Sequence, residues 1–288
     1  MVLGGSGQLG RALLATAPVD WNVASRASAE LDIRDERAVT AALTEAGPQL
    51  VVNAAAYTAV DAAEDDAAAA FAVNARGAAN VAMGARACGA RLFHVSTDFV
   101  FGGDASAPYC PDAVTAPVNV YGASKLQGEQ EVLTRHPGAL VLRTAWLYSA
   151  HGKNFCRTML NLMSSGKPVR VVADQVGTPT WAGSLARAIW AFARIPEARG
   201  ILHWTDAGVA SWYDFSVAIG EEAVHMGILA HRAAVIPISS EEYPTRARRP
   251  RFSVLDKSAA WKMLGYASDH WRASLRSMLA EYREARGV

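Results

Sequence analysis

The sequence predicts an α/β protein: a doubly wound parallel sheet, followed by a smaller, partly interleaved C-terminal α/β domain. Three observations carry that expectation. The chain opens with a glycine-rich turn, Gly4-Gly5-Ser6-Gly7-Gln8-Leu9-Gly10, directly after the apolar run Met1-Val2-Leu3. Its first half then alternates short apolar runs with alanine-rich, helix-forming stretches, the pattern of buried parallel strands joined by crossover helices. A Tyr-x-x-x-Lys pair, Tyr121 and Lys125, follows about three strand-helix units later, where a Rossmann-type sheet returns the chain to the bound nicotinamide.

The elements follow in order. Residues 1–3 form the first strand, short against the usual length of about five or six residues. It is expected to be either clipped by a start assigned late or simply short. A helix begins at Gln8, with Leu9, Leu13 and Leu14 on its packed face. Residues 22–25 and 50–53 read as strands flanking a helix over 36–46. The stretch 62–87 is long enough for a broken or paired helix, and Asp35 and Asp61 are the expected caps. Strands over 92–96 and 140–143 bracket the Tyr121–Lys125 turn of helix. After Trp146 the rhythm loosens into a helix over 155–163, a strand over 169–172, a helix over 182–193 and a strand over 200–204. From Ala210 onward the segments are mostly helical, around a strand at 235–238. The expected division is 1–147 plus about 170–205 for the dinucleotide-binding domain, and about 148–169 plus 206–288 for the second domain.

Composition narrows the function classes. Basic and acidic side chains nearly cancel, 28 against 27, which argues against a nucleic-acid binder held by phosphate neutralisation. No apolar run approaches the ~20 residues of a membrane helix and no signal-peptide pattern opens the chain, so a cytoplasmic protein without membrane partners is expected. Cys88, Cys110 and Cys156 have no ligand-like spacing, which predicts neither disulfides nor structural zinc. Arg246, Arg248, Arg249 and Arg251 cluster in a proline-broken stretch. They read either as guanidinium donors to a diphosphate or as a solvated loop.

Gly4, Gly7 and Gly10 let a backbone approach a pyrophosphate, and the following helix offers unpaired N–H groups and a partial positive charge. The end of the second strand reads Ala24-Ser25-Arg26, where a ribose 2′-hydroxyl would need an acid. Arg26 instead suits a 2′-phosphate, so NADPH is expected over NADH. Asp32 is a candidate acceptor for the adenine amino group.

Six segments in order resemble the dTDP-4-dehydrorhamnose reductase family of the extended short-chain dehydrogenase/reductase superfamily. They are the glycine turn, Asn53 to Asp61, Val95 to Phe101, Tyr121 to Lys125, Arg143 to Trp146 and Asp174 to Thr180, with Arg249-Pro250 closing the match. The resemblance implies reduction of the C4 ketone of a dTDP-linked 4-keto-6-deoxyhexose, with NADH possible as well as NADPH. Tyr121 is then the proton donor, Lys125 lowers its pKa and bonds the nicotinamide ribose, and Thr97 orients the carbonyl. By resemblance Gly7, Gln8, Leu9, Arg26, Asp32, Ile33, Ala56, Tyr57, Thr58 and Val95 line the cofactor, and Thr97, Asp98 and Trp146 face the sugar. Trp146 is expected to offer an apolar ring face, Arg249 to bind the diphosphate and Asn154 to lie near the nucleotide.

Departures from the family pattern carry their own expectations. Ala12 and Gly183 stand where magnesium-bridged dimers have acids, leaving Glu281 alone, so no such metal is expected and the protein is a monomer or a homodimer. Phe99 stands where Tyr is common. Asp98 is followed by Phe99, not Glu, which removes the acid/base pair of a 4,6-dehydratase, and Arg26 suits an NAD-recycling epimerase poorly. A talose-forming reductase, with the opposite C4 configuration, and a non-catalytic binding subunit are the remaining alternatives.

Overall fold

The computed structural model describes residues 1–286. β1 (Val2–Leu3) leads through the glycine turn into α1 (Gln8–Ala15), β2 (Ser25–Arg26) into α2 (Glu36–Ala46), and β3 (Leu50–Asn53) into a broken helical region. That region comprises α3 (Val60–Asp65), α4 (Ala67–Phe71), a π-helical turn (Ala72–Gly77) and α5 (Ala78–Ala87). β4 (Arg91–Thr97) ends in a 3-10 turn (Asp98–Val100), and α6 (Val120–Arg135) precedes β5 (Leu140–Thr144). Next come β6 (Leu147–Tyr148), α7 (Phe155–Met163), β7 (Val169–Val172), β8 (Val176–Gly177), β9 (Thr180–Trp181), α8 (Ala182–Ala193) and β10 (Gly200–His203). β11 (Ala210–Ser211), α9 (Trp212–His225), β12 (Val235–Ile238), α10 (Ser258–Leu264) and α11 (Trp271–Arg286) complete the order.

The six-stranded sheet runs β10-β5-β4-β3-β1-β2, every neighbouring pair parallel. This is the predicted doubly wound α/β fold. The winding reverses between β1 and β3, and such a switch point opens a crevice at the carboxyl ends of the strands. Here that crevice lies between the glycine turn after β1 and the loop after β3. β1 is only two residues long, yet Val2 and Leu3 are almost fully buried, and burial of each stabilises the sheet by roughly 1.5–3 kcal/mol. Pairing on both edges holds it, and the N-terminal amine of Met1 donates to Leu50 O at 2.6 Å.

Local details differ from the sequence reading. The second strand falls at Ser25–Arg26, not 22–25. Asp35 does cap α2, accepting from Ala38 N–H. Asp61 caps nothing: it lies inside α3, and Asp66 caps α4 by accepting from Ala69 N–H. The break in the 60–87 region has a packing cause. Widening into a π turn pushes the Asn74 carbonyl against α6, where a Cβ on Gly128 would sit only 2.0 Å from that oxygen.

The second core is built by Tyr148, Phe215, Trp271, Leu275 and Met278, and it includes Val169 and Val171. β7 therefore belongs with the second domain, where it pairs with β12. The return into the sheet begins near α8, which packs on α1, rather than near 170. Ala260 of α10 likewise packs in the sheet core with Leu202 and Trp204, so the second domain does not run unbroken to the C-terminus.

Candidate active site

The crevice floor is backbone. Gly4 has φ +83°, and a Cβ there would lie 2.8 Å from Ala55 N, while one on Gly10 would lie 2.2 Å from Gly4 O. Bare glycines let the turn, the β3 loop and α1 meet. Gly7 begins α1 without a side-chain cap, which leaves the first-turn N–H groups and the positive end of the helix dipole for an anion. Leu9 is buried in the core, so toward a ligand it offers backbone. Gln8 Oε1 accepts from Ser149 Oγ at 3.1 Å and from Asn154 Nδ2 at 3.0 Å.

Arg26 stands exposed opposite Leu3, with Nη1 donating to Ser25 O at 3.0 Å. No carboxylate pairs with it among the described residues. Asp32 is forked by Arg34, Nη2 to Oδ2 at 2.6 Å, and those hydrogen bonds hold its carboxyl below the usual range. Ile33 is turned into the core and its carbonyl accepts from Asn80 Nδ2 at 2.9 Å, so its side chain does not line the crevice. Ala56, Tyr57 and Thr58 lie in the β3 loop. Asn74 grips that loop twice, accepting from Tyr57 N–H at 2.8 Å and donating to Tyr57 O at 3.0 Å, and donates to Ser124 Oγ on α6.

Thr97, Tyr121 and Lys125 converge at the end of β4. Asn119 caps α6 by accepting from Gly122 N–H at 2.7 Å. Gly122 lets the first turn of α6 press on the 3-10 turn, since a Cβ would meet Phe99 O at 2.2 Å. That approach seats Tyr121 edge-on to Phe99 and in hydrogen-bond contact with Thr97. Burial pushes the Tyr121 phenol up to about 12, with Thr97 lowering it and Asp98 raising it further. Asp98, buried and accepting from Thr97 Oγ1 at 3.0 Å, is raised by desolvation to about 6, against hydrogen bonds from Ser253 and Thr97.

Lys125 is brought down to about 8 by burial, partly offset by Glu129. Its Nζ donates to Val95 O at 2.7 Å and lies 3.5 Å from His94 Nε2. The expected lowering of the tyrosine by the lysine charge is thus overturned. The ammonium is turned toward β4, and desolvation dominates the phenol. A phenol near 12 still serves as a donor, because it stays protonated at every physiological pH.

The sugar side departs more. Trp146 takes the left-handed backbone region at φ 47°, stacked on Trp212 with centroids 3.5 Å apart and planes 3° apart. A Cβ on Gly177 would touch the Trp146 ring at 2.6 Å. Trp212 takes one face and Gly177 crowds the ring, so Trp146 presents an edge rather than an apolar face. Asn154 caps α7, and its Nδ2 already faces Gln8 Oε1, Ser149 O and His151 O, leaving no donor for a nucleotide. Arg249 pairs with Asp61 at 2.7 Å, and Arg246 with Asp65, tying the arginine stretch to α3. Arg249 also borders a cavity of about 760 Å³ with Phe155, Trp212, Tyr243 and Gln175. Of these, only Arg249 was singled out in sequence. Asn53, Asn74 and His94 were missed as site residues, although a polar side chain ending or interrupting an apolar strand run was the available signal at Asn53 and His94.

Residues 1–284 match the family model described as RmlD substrate binding domain. A probable dTDP-4,6-dihydroxy-2-methyloxan-3-one 4-ketoreductase from Streptomyces antibioticus is 44% identical over 279 residues, 96% of this chain and 92% of that protein. A dTDP-4-dehydrorhamnose reductase from Aggregatibacter actinomycetemcomitans is 38% identical over 288 residues, 97% of this chain and 98% of its own. The crystal structure of a dTDP-4-dehydrorhamnose reductase from Bacillus anthracis, in complex with NADP, superposes with a TM-score of 0.91 at 33% identity, covering 97% of this chain and 98% of that one.

Proposed function

The chain belongs to the RmlD substrate binding domain family, and from that premise we propose that it catalyses the dTDP-4-dehydrorhamnose reductase reaction. The C4 ketone of dTDP-6-deoxy-L-lyxo-4-hexulose is reduced with NADPH, giving dTDP-L-rhamnose. The observation that carries this reading is the convergence of Thr97, Tyr121 and Lys125 at the carboxyl end of β4, on the same end of the parallel sheet as the glycine turn that follows β1.

NADPH fits the crevice: the Gly4/Gly10 cradle would be filled by any Cβ, the α1 N-terminus lacks a side-chain cap, and Arg26 has no ion-pair partner among the described residues. The Gly7–Gly10 backbone would hold the pyrophosphate and Arg26 the 2′-phosphate, with NADH the weaker alternative. When bound, NADPH supplies the hydride. As charge develops on the ketone oxygen, Thr97 Oγ1 turns its one hydrogen from Asp98 to that oxygen and the Tyr121 phenol gives up its proton, a general-acid contribution of about 10²–10⁴-fold. Lys125 keeps the site positive while that charge builds. The cavity beside Phe155 and Trp212 suits a nucleoside, and Arg249 exchanges Asp61 for the diphosphate. Asp98 and the edge of Trp146 border the sugar.

The partner is a nucleotide sugar, and no helix among the described residues is long and apolar enough to cross a membrane. The reading places the enzyme in the cytoplasm as a monomer or homodimer. An intact Thr97, Tyr121 and Lys125 supports turnover over a purely binding role. The test is Tyr121→Phe: NADPH binding is retained while reduction falls at least 100-fold, about 2.7 kcal/mol of transition-state stabilisation. Loss of NADPH binding, or unchanged turnover, contradicts the assignment.

A further inference from the structure

Beneath the catalytic helix lies a buried polar chain that the mechanism so far leaves unused. Asn53 ends β3, His94 stands beside it on β4, and Lys125 descends from α6; all three are almost fully buried. The Asn53 amide has a fixed orientation, because its Oδ1 accepts from Ala55 N–H at 3.2 Å. Its Nδ2 must therefore donate to His94 Nδ1, 3.1 Å away. A neutral imidazole has one donor and one acceptor nitrogen. With Nδ1 fixed as acceptor, the ring proton sits on Nε2, and Nε2 is the atom facing Lys125 Nζ at 3.5 Å. Protonating both ring nitrogens is no escape, since burial and the lysine charge hold His94 well below its usual range.

Donor thus meets donor when Lys125 is an ammonium. A neutral amine resolves the conflict: its lone pair accepts from Nε2–H, and one of its own hydrogens still serves Val95 O at 2.7 Å. Resting on the reductase reading above, we propose that His94 is a positioning residue for the reduction. Locked by Asn53 with its proton on Nε2, it presents a donor to Lys125 Nζ and readies the lysine to release its own proton. The proton count then closes. The Tyr121 O–H bond breaks as the ketone oxygen becomes a hydroxyl; because Nζ does not touch Tyr121, the proton that restores the phenol crosses a bridging hydroxyl or water as an N–H bond of the Lys125 ammonium breaks; the resulting amine is stabilised by His94; and a solvent proton reloads it.

The other charged groups around Lys125 act differently. Glu129, on the same helix, favours the ammonium but is clamped by Arg143 of β5 at 2.7 Å. Asp98 lies on the turn after β4 beside Tyr121, which shares α6. Glu64 of α3 is committed to Val120 N–H at the start of α6, Arg86 of α5 to Arg135 O at its end, and Arg76 of the π turn is exposed. Among the described residues only Val95 O and His94 meet Nζ directly.

Imidazole ¹⁵N NMR of the free protein, with the His94 resonance assigned by its loss in His94→Gln, reads the tautomer without cofactor or turnover. The expected result is a neutral ring protonated at Nε2. In Asn53→Asp, which keeps the shape of the side chain, the second carboxylate oxygen accepts from Nδ1–H, the tautomer reverses and Nε2 becomes an acceptor for the ammonium. The alkaline limb of kcat then moves up by about one pH unit, with KM for the keto sugar little changed. In His94→Gln the amide oxygen can turn to Nζ, and the limb moves the same way. A wild-type ring protonated at Nδ1, or folded Asn53→Asp and His94→Gln proteins whose alkaline limb stays in place, would overturn the proposal. Absence of any keto-sugar reduction in a wild-type protein with the Nε2–H tautomer is a distinct outcome: it defeats the reductase reading and, with it, the positioning role.

Discussion

Replacing Arg26 with Ala should move the enzyme from a preference for NADPH toward indifference between NADPH and NADH. Arg26 closes β2 at the rim of the crevice, opposite Leu3, anchored through Nη1 to Ser25 O and free of any carboxylate among the described residues. Its remaining guanidinium donors are therefore available to a 2′-phosphate. A hydrogen bond to a charged group contributes about 1.5–3 kcal/mol. The side chain is exposed, so solvent and salt screening bring the expected value to about 1–2 kcal/mol. That corresponds to roughly a 5- to 30-fold loss of NADPH affinity. NADH has no 2′-phosphate, and its affinity should stay within about twofold of wild type, since a surface substitution of this kind costs little else. Fluorescence titration of both cofactors at low and high salt, followed by kcat/KM for each, measures the effect. Raising the salt should narrow the wild-type preference and leave the variant's ratio unchanged. Equal losses for the two cofactors, or no loss for NADPH, would refute the role given to Arg26.

Other expected outcomes follow from the same geometry. Asp98, raised from 3.8 to about 6 in the folded protein, holds its proton more tightly folded than unfolded, so wild-type stability falls as pH rises from about 4 to about 6 and then levels off. Asp98→Asn lacks that fall and should be more stable near neutral pH by up to about 3 kcal/mol in denaturant titrations; an identical pH profile for both proteins would contradict the burial argument. Gly122→Ala places a methyl 2.2 Å from Phe99 O and must displace the first turn of α6, costing about 1–3 kcal/mol as an overpacking substitution. Because Tyr121 rides on that turn, kcat should fall more than cofactor affinity, and full activity in the alanine variant would show that the close approach is dispensable.

The parts of the site legible in sequence are those built from neighbours along the chain. The glycine turn declares itself because the strand end, turn and helix start are contiguous, and Tyr121 and Lys125 because one helical turn carries both. What stayed hidden depends on distant partners. Trp146 read as a sugar platform, but its environment is set by Trp212 and by the absence of a side chain at Gly177, neither visible from its own segment. Asp61 has the composition of a cap, yet the helix starts at Val60, and the carboxylate is instead captured by Arg249 from the far end of the chain. The strand at 169–172 was correctly placed but given to the wrong core, since a strand's local pattern does not encode that its partner is β12. The tyrosine pKa misled for a related reason. Spacing puts Lys125 on the same helix face as Tyr121, while the position of its ammonium is decided by a carbonyl and a histidine on β4.

The central claim is that Thr97, Tyr121 and Lys125 reduce a dTDP-linked 4-keto sugar with NADPH. Its most direct test supplies dTDP-6-deoxy-L-lyxo-4-hexulose, generated in the assay, together with NADPH and then NADH, and identifies the sugar formed. The account predicts dTDP-L-rhamnose, formed faster with NADPH, with stoichiometric cofactor oxidation that Tyr121→Phe slows at least about 100-fold. A protein that binds NADPH but oxidises none of it in the presence of this sugar, or that yields the C4 epimer, would contradict the account.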